Sequence, residues 1–201
     1  NPNAHAKTEM YENSKLLLGT KYALLRNEIV EIKQKKKTTI SQQRILVCMG
    51  GADPKGATLT VIDALSAVYQ SGTPFLANIV LGPFVTDKLK AEVVDRIKEY
   101  PGPFQLFDYP QNFLELLSEA DLAVVSGGVV LTESIFLQTP TVSIVLADNQ
   151  REGVSAWCNL GASLEAHLSS EQISSTVLEM LGNPEIGLAQ CNQGKYLVDG
   201  K

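Results

Sequence analysis

Cysteine, histidine and tryptophan are scarce in this 201-residue chain, at three, two and one copies. Cys48, Cys158 and Cys191 are scattered and odd in number. They show neither a disulfide framework nor the spacing of a metal site, so reduced thiols in a cytoplasm are expected. His5 stands in a polar stretch and His167 follows a short apolar run; neither lies in a catalytic motif. No apolar run approaches the roughly 20 residues of a membrane span, and no signal peptide is visible. Basic residues are outnumbered, 17 Lys and Arg against 22 Asp and Glu, for a formal charge of −5. That balance argues against a general nucleic-acid binder, which would show a basic face. Lys33 and the run Lys35, Lys36, Lys37 read as a solvated linker. Gly51 and Gly56 have the spacing of a phosphate loop, but Ala57 stands where that loop requires lysine, and no G-x-G-x-x-G occurs. No aspartate pair suggests a required metal, and neither metal nor cofactor is expected.

What the chain does have is apolar material in pattern. Hydrophobic residues make up 44% and charged residues 19%, enough for one globular domain with a full core. The first ten residues do not read as a natural start, so part of a longer protein is expected. Residues 1–40 read as an N-terminal arm and linker: a polar stretch, an apolar segment from Leu16 to Arg26 broken by Gly19, and a charged hinge over 31–39. The arm is expected to dock on the core. Residues 41–201 read as one α/β domain. Strands are expected over 45–49, 75–81, 104–107, 122–125 and 141–146, with a short one near Leu164. Helices are expected over 58–70, 85–100, 112–120, 129–138, 151–160 and 173–181, with another in the final stretch from Gln190. Asn112 with Glu115, and Ser169 with Gln172, have capping spacing. This alternation predicts a doubly wound, mostly parallel, Rossmann-like sheet, with ligands at the carboxyl ends of its strands.

The most informative stretch runs from Asp121 to Gln150. A buried strand leads into Ser126, Gly127 and Gly128, then a helix ended by Thr139-Pro140, then a second strand and a polar tip over 147–150. A helix N-terminus behind two glycines suits a phosphate or diphosphate. Glu133 is the only charged residue between Val129 and Thr141. One turn from the glycines, its carboxylate has the chemistry to accept two ribose hydroxyls. The competing reading puts Glu133 on a solvated face and leaves the glycines as a tight turn. Gly50 and Gly51, Phe107 to Pro110, residues 126–128 and residues 148–150 all fall at expected strand ends. Four sequence-distant turns should therefore meet along one rim.

These residues resemble the C-terminal half of the GT-B nucleotide-sugar enzymes. The pattern is most similar to the UDP-sugar hydrolases of pseudaminic acid synthesis, and more broadly to the UDP-N-acetylglucosamine transferases of peptidoglycan synthesis. The resemblance rests on Gly19 with Lys21 to Arg26 (KYALLR), Met49 to Pro54 (MGGADP), Ser126-Gly127-Gly128, Glu133, Pro140, Asp148-Asn149-Gln150 and Val198-Asp199-Gly200. It implies that Gly50, Gly51, Ser126, Gly127 and Gly128 hold the diphosphate, and that Glu133 takes the ribose. Phe107, Asp108 and Tyr109 would hold the uracil edge, partly through backbone groups, and Asn149 and Gln150 would reach the sugar. The resembled enzymes carry a preceding domain that these residues do not include. In the hydrolases that half holds the expected general base, a histidine, so no catalytic residue is expected here. The implied partners are a UDP-sugar or UDP and that other domain. The implied reaction is attack of water at the anomeric carbon with release of UDP. A glycosyltransferase of the same architecture, or a non-catalytic receiver-like or flavodoxin-like module, would carry the same alternation.

Overall fold

A computed structural model describes residues 17, 19–33, 43–100 and 102–198. His5, the lysine run 35–37 and the Asp199-Gly200 part of the closing motif lie outside the described residues. The described arm holds a short 3-10 turn (Thr20–Tyr22) and helix α1 (Glu28–Lys33). Then come β1 (Gln43–Cys48), α2 (Ala57–Gln70), β2 (Phe75–Leu81), α3 (Asp87–Glu99), β3 (Phe104–Asp108), α4 (Phe113–Glu119), β4 (Leu122–Ser126) and α5 (Val129–Phe136). The chain continues through β5 (Thr141–Ile144), α6 (Asp148–Asn159), β6 (Leu164–Ala166), α7 (Ser170–Gly182) and α8 (Pro184–Leu197).

The six strands form one parallel sheet in the order β3-β2-β1-β4-β5-β6. The expected doubly wound α/β sheet is present. The central strands read as near-continuous apolar runs because both of their faces are buried. Successive β1 residues divide between two cores. Ile45 and Val47, with Met49 just beyond the strand, pack with α2 and α7, while Leu46 and Cys48 pack with α1, α4, α5 and α6. Trp157 of α6, 2% exposed, fills the second core.

Strand order reverses beside β1, whose neighbours are β2 on one side and β4 on the other. The chains leaving β1 and β4 turn to opposite faces there, which opens a crevice at their carboxyl ends.

Several boundaries differ from expectation. Helix α6 begins at Asp148, so the supposed polar tip is its first turn. Helix α8 begins at Pro184, a residue suited to a first helical position because its missing N–H would be unpaired anyway. The charged hinge begins as helix α1. Asn112 makes no capping bond to α4, whereas the Ser169 hydroxyl accepts from Gln172 N–H at the start of α7. No helix among the described residues is long and apolar enough to cross a membrane.

Candidate functional site

The carboxyl ends of the strands meet through direct backbone neighbours. Tyr109 N–H donates to Leu81 O, tying the β3 exit to β2. A Cβ on Gly82 would strike Gly50 O, so the β2 and β1 exits touch. A Cβ on Gly50 would lie 3.2 Å from the Ser126 hydroxyl, which joins the β1 and β4 exits. Beside Gly127 stand Val154 and Gln150 of α6, so the exit of β5 completes the row. The anticipated turns thus share one rim.

Between them lies a cavity of about 490 Å³, within the size range of small-molecule sites. Gly50, Gly51 and Tyr109 line it, together with Arg26, Phe113 and Val130. Of the β4–α5 turn and helix, Val130 lines it, whereas Ser126, Gly127 and Gly128 do not.

The two glycine turns differ in chemistry. At α2 the helix N-terminus is already occupied. Asp53, 2% exposed, accepts Ala57 N–H at 2.7 Å on one oxygen and Thr58 N–H at 2.9 Å on the other. Its own φ is +41°. A carboxylate thus fills the anion position that the Gly51–Gly56 spacing suggested. At α5 no side chain caps the helix. Ser126 is 3% exposed, and its hydroxyl has no hydrogen-bond partner among the described residues. An uncapped helix start beside a free hydroxyl and two glycines can receive an anion.

Glu133 is fully buried, which overturns the solvated-face reading. Its Oε1 accepts from Arg26 Nε at 2.6 Å and its Oε2 from Arg26 Nη2 at 2.8 Å. This hydrogen bond, more than any other cause, raises the Arg26 pKa above its ordinary value. The guanidinium is half-exposed and stands 5.6 Å from the centre of the Phe113 ring. In this arrangement the carboxylate faces a guanidinium and not open space. Sequence reasoning gave Arg26 no role, although it ends the KYALLR arm. Ala23 and Leu25 of that arm pack on the second core, so the arm docks on this domain.

The remaining anticipated residues fall as follows. Phe107 packs its ring on the second core. Asp108 accepts from Lys90 Nζ at 2.9 Å. Tyr109 is 59% exposed with φ +45° at the cavity mouth. Asn149 is exposed on the first turn of α6. Gln150 is half-buried, and its Oε1 accepts Leu146 N–H at 2.8 Å, leaving only its NH₂ for a ligand. Cys48 lines the cavity floor, but burial pushes its thiol up to about 11, against a smaller opposing effect of a backbone hydrogen bond with Gly50. It is therefore a neutral thiol at pH 7 and no nucleophile. His167 is exposed after the edge strand β6. No cluster of three or more His, Cys, Asp or Glu side chains among the described residues is placed to hold a metal.

No family model matches the chain. It is 30% identical over 139 residues to an uncharacterized protein of Methanocaldococcus jannaschii, covering 67% of this chain and 28% of that protein. It is 23% identical to the spore coat polysaccharide biosynthesis protein SpsG of Bacillus subtilis, covering 94% and 56%. It is 28% identical to the UDP-N-acetylglucosamine–N-acetylmuramyl-(pentapeptide) pyrophosphoryl-undecaprenol N-acetylglucosamine transferase of Carboxydothermus hydrogenoformans, covering 86% and 47%. The chain thus spans between about a quarter and somewhat over half the length of these relatives. Among solved structures, Acinetobacter baumannii MurG matches with a TM-score of 0.64 at 14% identity, covering 82% of this chain and 50% of that one. The C-terminal CMP-Kdo binding domain of WaaA from the same organism matches at 0.60 and 15%, covering 78% and 89%. S. aureus MnaA, solved with UDP, matches at 0.63 and 11%, covering 90% and 48%. The fold is that of one half of a GT-B enzyme, and the chain is related to the transferase and to the spore coat protein.

Proposed function

We propose that this chain is the nucleotide-sugar-binding half of a GT-B enzyme of polysaccharide biosynthesis, with a UDP-sugar as its ligand and a preceding domain closing the cleft. The observation that carries the proposal is the open start of α5 beside the unpartnered Ser126 hydroxyl, at the switch point of the sheet. N–H groups aligned there before the reaction would stabilise a diphosphate leaving group without reorganising. The Gly50-Gly51 turn would wall the cavity and contact the ligand through backbone atoms, while α2, already capped by Asp53, contributes no anion site. Asn149 and the NH₂ of Gln150 are offered toward the sugar, and Tyr109 toward the base.

Glycosyl transfer is the favoured reaction class, because one curated relative is named as a transferase and another as a polysaccharide biosynthesis protein. Hydrolysis of a UDP-sugar of the pseudaminic acid type is the second reading. It rests on the resemblance carried by the KYALLR arm and the Asp53-Pro54 pair. In either case the attacking water or acceptor, and the general base, would be held by the other domain. Calorimetric titration of UDP into the protein tests the binding claim: saturable binding is expected, and its absence would end the proposal. UDP release from a UDP-sugar, measured in the full-length parent with and without candidate acceptors, separates the two chemistries. Release that needs no acceptor would favour hydrolysis.

A further inference from the structure

Among the described residues, three other than glycine hold a left-handed backbone: Asp53, Tyr109 and Gln138. Two of them serve helix ends. Asp53 caps the start of α2, and Gln138 follows the end of α5, where a left-handed residue is an ordinary way out of a helix. Tyr109 ends no helix. It leaves β3 with φ +45°, a value that a bulky residue rarely adopts. The proline that follows favours an extended backbone at this position. The tyrosine is 59% exposed, so burial returns little for the strain. A conformation of this kind persists only where its surroundings impose it, and such residues gather at ligand clamps.

Two anchors impose it here. Tyr109 N–H donates to Leu81 O at 3.0 Å, which extends the ladder between β2 and β3. The residue before it, Asp108, accepts from Lys90 Nζ at 2.9 Å. Side chains of β3 alternate, with Phe104 and Leu106 on the first core and Phe107 on the second. Asp108 therefore turns to the face that carries α3, and Tyr109 to the face of the cavity, which it lines. Lys90 is rooted in a helix whose start is capped by the Thr86 hydroxyl and whose Leu89 and Val93 pack on the first core.

We propose that Lys90 is a positioning residue for the nucleotide base: through Asp108 it holds the β3 exit from the far face of the sheet and keeps Tyr109 presented to the cavity. This rests on the nucleotide-sugar reading above and deepens it, assigning the Asp108 carboxylate to the loop and not to the ligand. Lys90 does not line the cavity, so it acts only through its partner. The pair is 30% exposed at the lysine and 57% at the aspartate. Such a pair adds little to overall stability. Its weight falls on one loop, where a small energy decides between a left-handed and an extended Tyr109. Tyr109, Pro110 and Gln111 line the cavity in succession, so a change of backbone at the first would move all three.

The test is calorimetric titration of UDP into the unaltered protein, Lys90→Met, Asp108→Asn, the Lys90→Met/Asp108→Asn pair and the conservative variant Lys90→Arg. Lys90→Met and Asp108→Asn are each expected to weaken UDP about threefold to fivefold, as much as one part-exposed ion pair can supply. The double variant should bind no more weakly than the worse single one, because both changes remove the same contact. Lys90→Arg keeps a cation within reach of Asp108 and should stay within about twofold of the unaltered protein. The two single variants alter net charge in opposite directions. Long-range attraction for an anionic ligand would weaken UDP in Lys90→Met and strengthen it in Asp108→Asn, and that outcome would overturn the inference. A loss in Asp108→Asn alone would do so too, by making Asp108 itself the base contact. Binding by Lys90→Met equal to that of the unaltered protein would likewise end it. Melting temperatures should stay within about 4 °C of the unaltered value; a larger fall, with affinity lost in step, would make the pair structural only. Failure of the unaltered protein to bind UDP is a different result: it removes the proposed function, and the inference with it.

Discussion

Asp53 is where a single atom exchange should read out most clearly in stability. It sits in the turn between β1 and α2, 2% exposed, with φ +41°. Its two oxygens satisfy two N–H groups at the start of α2, at 2.7 and 2.9 Å. Asp53→Ala removes both bonds and leaves those donors buried. Loss of an N-cap costs about 1 kcal/mol, and up to about 2. An alanine held at positive φ adds about 1 kcal/mol. The expected loss is about 2–3 kcal/mol, or roughly 4–12 °C in melting temperature for a domain of this size. Asn tolerates the left-handed conformation and keeps one acceptor oxygen, so Asp53→Asn should cost only about 1 kcal/mol. Urea unfolding followed by far-UV circular dichroism gives both values, provided the slope with denaturant is unchanged. A cost below about 1 kcal/mol for Asp53→Ala would refute the argument. So would equal costs for Ala and Asn, because the ordering depends on the cap bond and the backbone angle together.

Two further substitutions probe the rim and the floor of the cavity. Gly127→Ala would drive a Cβ into Val154 and to within 3.1 Å of the Gln150 Cβ. Overpacking of this kind costs about 1–3 kcal/mol, read as a lowered urea midpoint; a shift below about 0.5 kcal/mol would mean that α6 yields freely. Cys48 contributes a pH dependence whose sign follows from burial. Its folded value, about 11, lies above the ordinary 9.0, so the unfolded chain gives up this proton first. The stability is fully present below pH 9 and is lost as pH rises from about 9 to about 11, by about 3 kcal/mol. Urea midpoints across that range should fall for the unaltered protein and fall less for Cys48→Ala; parallel curves would refute the assignment.

Much of the fold was legible because burial on both faces of a parallel sheet writes itself as apolar runs. The strands from β1 to β5 lie within a few residues of their expected places, and the meeting of their exits follows from parallel connectivity alone. Helix starts were harder to place. Asp148, Asn149 and Gln150 have the composition of a loop, yet they form the solvated first turn of α6, where polar side chains are at home. Asn112 has the spacing of a cap without the bond, since its backbone is not in the extended conformation that aims a capping side chain. The Arg26–Glu133 pair could not be inferred from any periodicity, because 107 residues separate its partners. Only the oddity of one carboxylate on an apolar helix hinted that something had to neutralise it.

The two glycine turns, both expected to hold the diphosphate, differ in the structure through one carboxylate. Gly50-Gly51 and Gly127-Gly128 each follow a central strand and precede a helix, so by local pattern either could receive a phosphate. What separates them is the residue that reaches back. Three residues before Gly56 the chain supplies Asp53, which spends its charge on the N–H groups of α2. The corresponding stretch before α5 supplies only Ser126, whose hydroxyl is uncharged and unpaired. At the first turn the start of α2 is therefore capped, while Gly50 and Gly51 still line the cavity. In the second, Gly127 N–H donates to Ile144 O at 3.0 Å and Gly128 N–H to Ser126 O at 2.8 Å, so an anion there would meet the N–H groups of the first helical residues, not those of the glycines. A phosphate placed against α2 would face a buried negative charge, whereas one placed against α5 would face a positive helix end. The sites look alike as sequence, but of the two helix starts only that of α2 is already filled by a buried carboxylate.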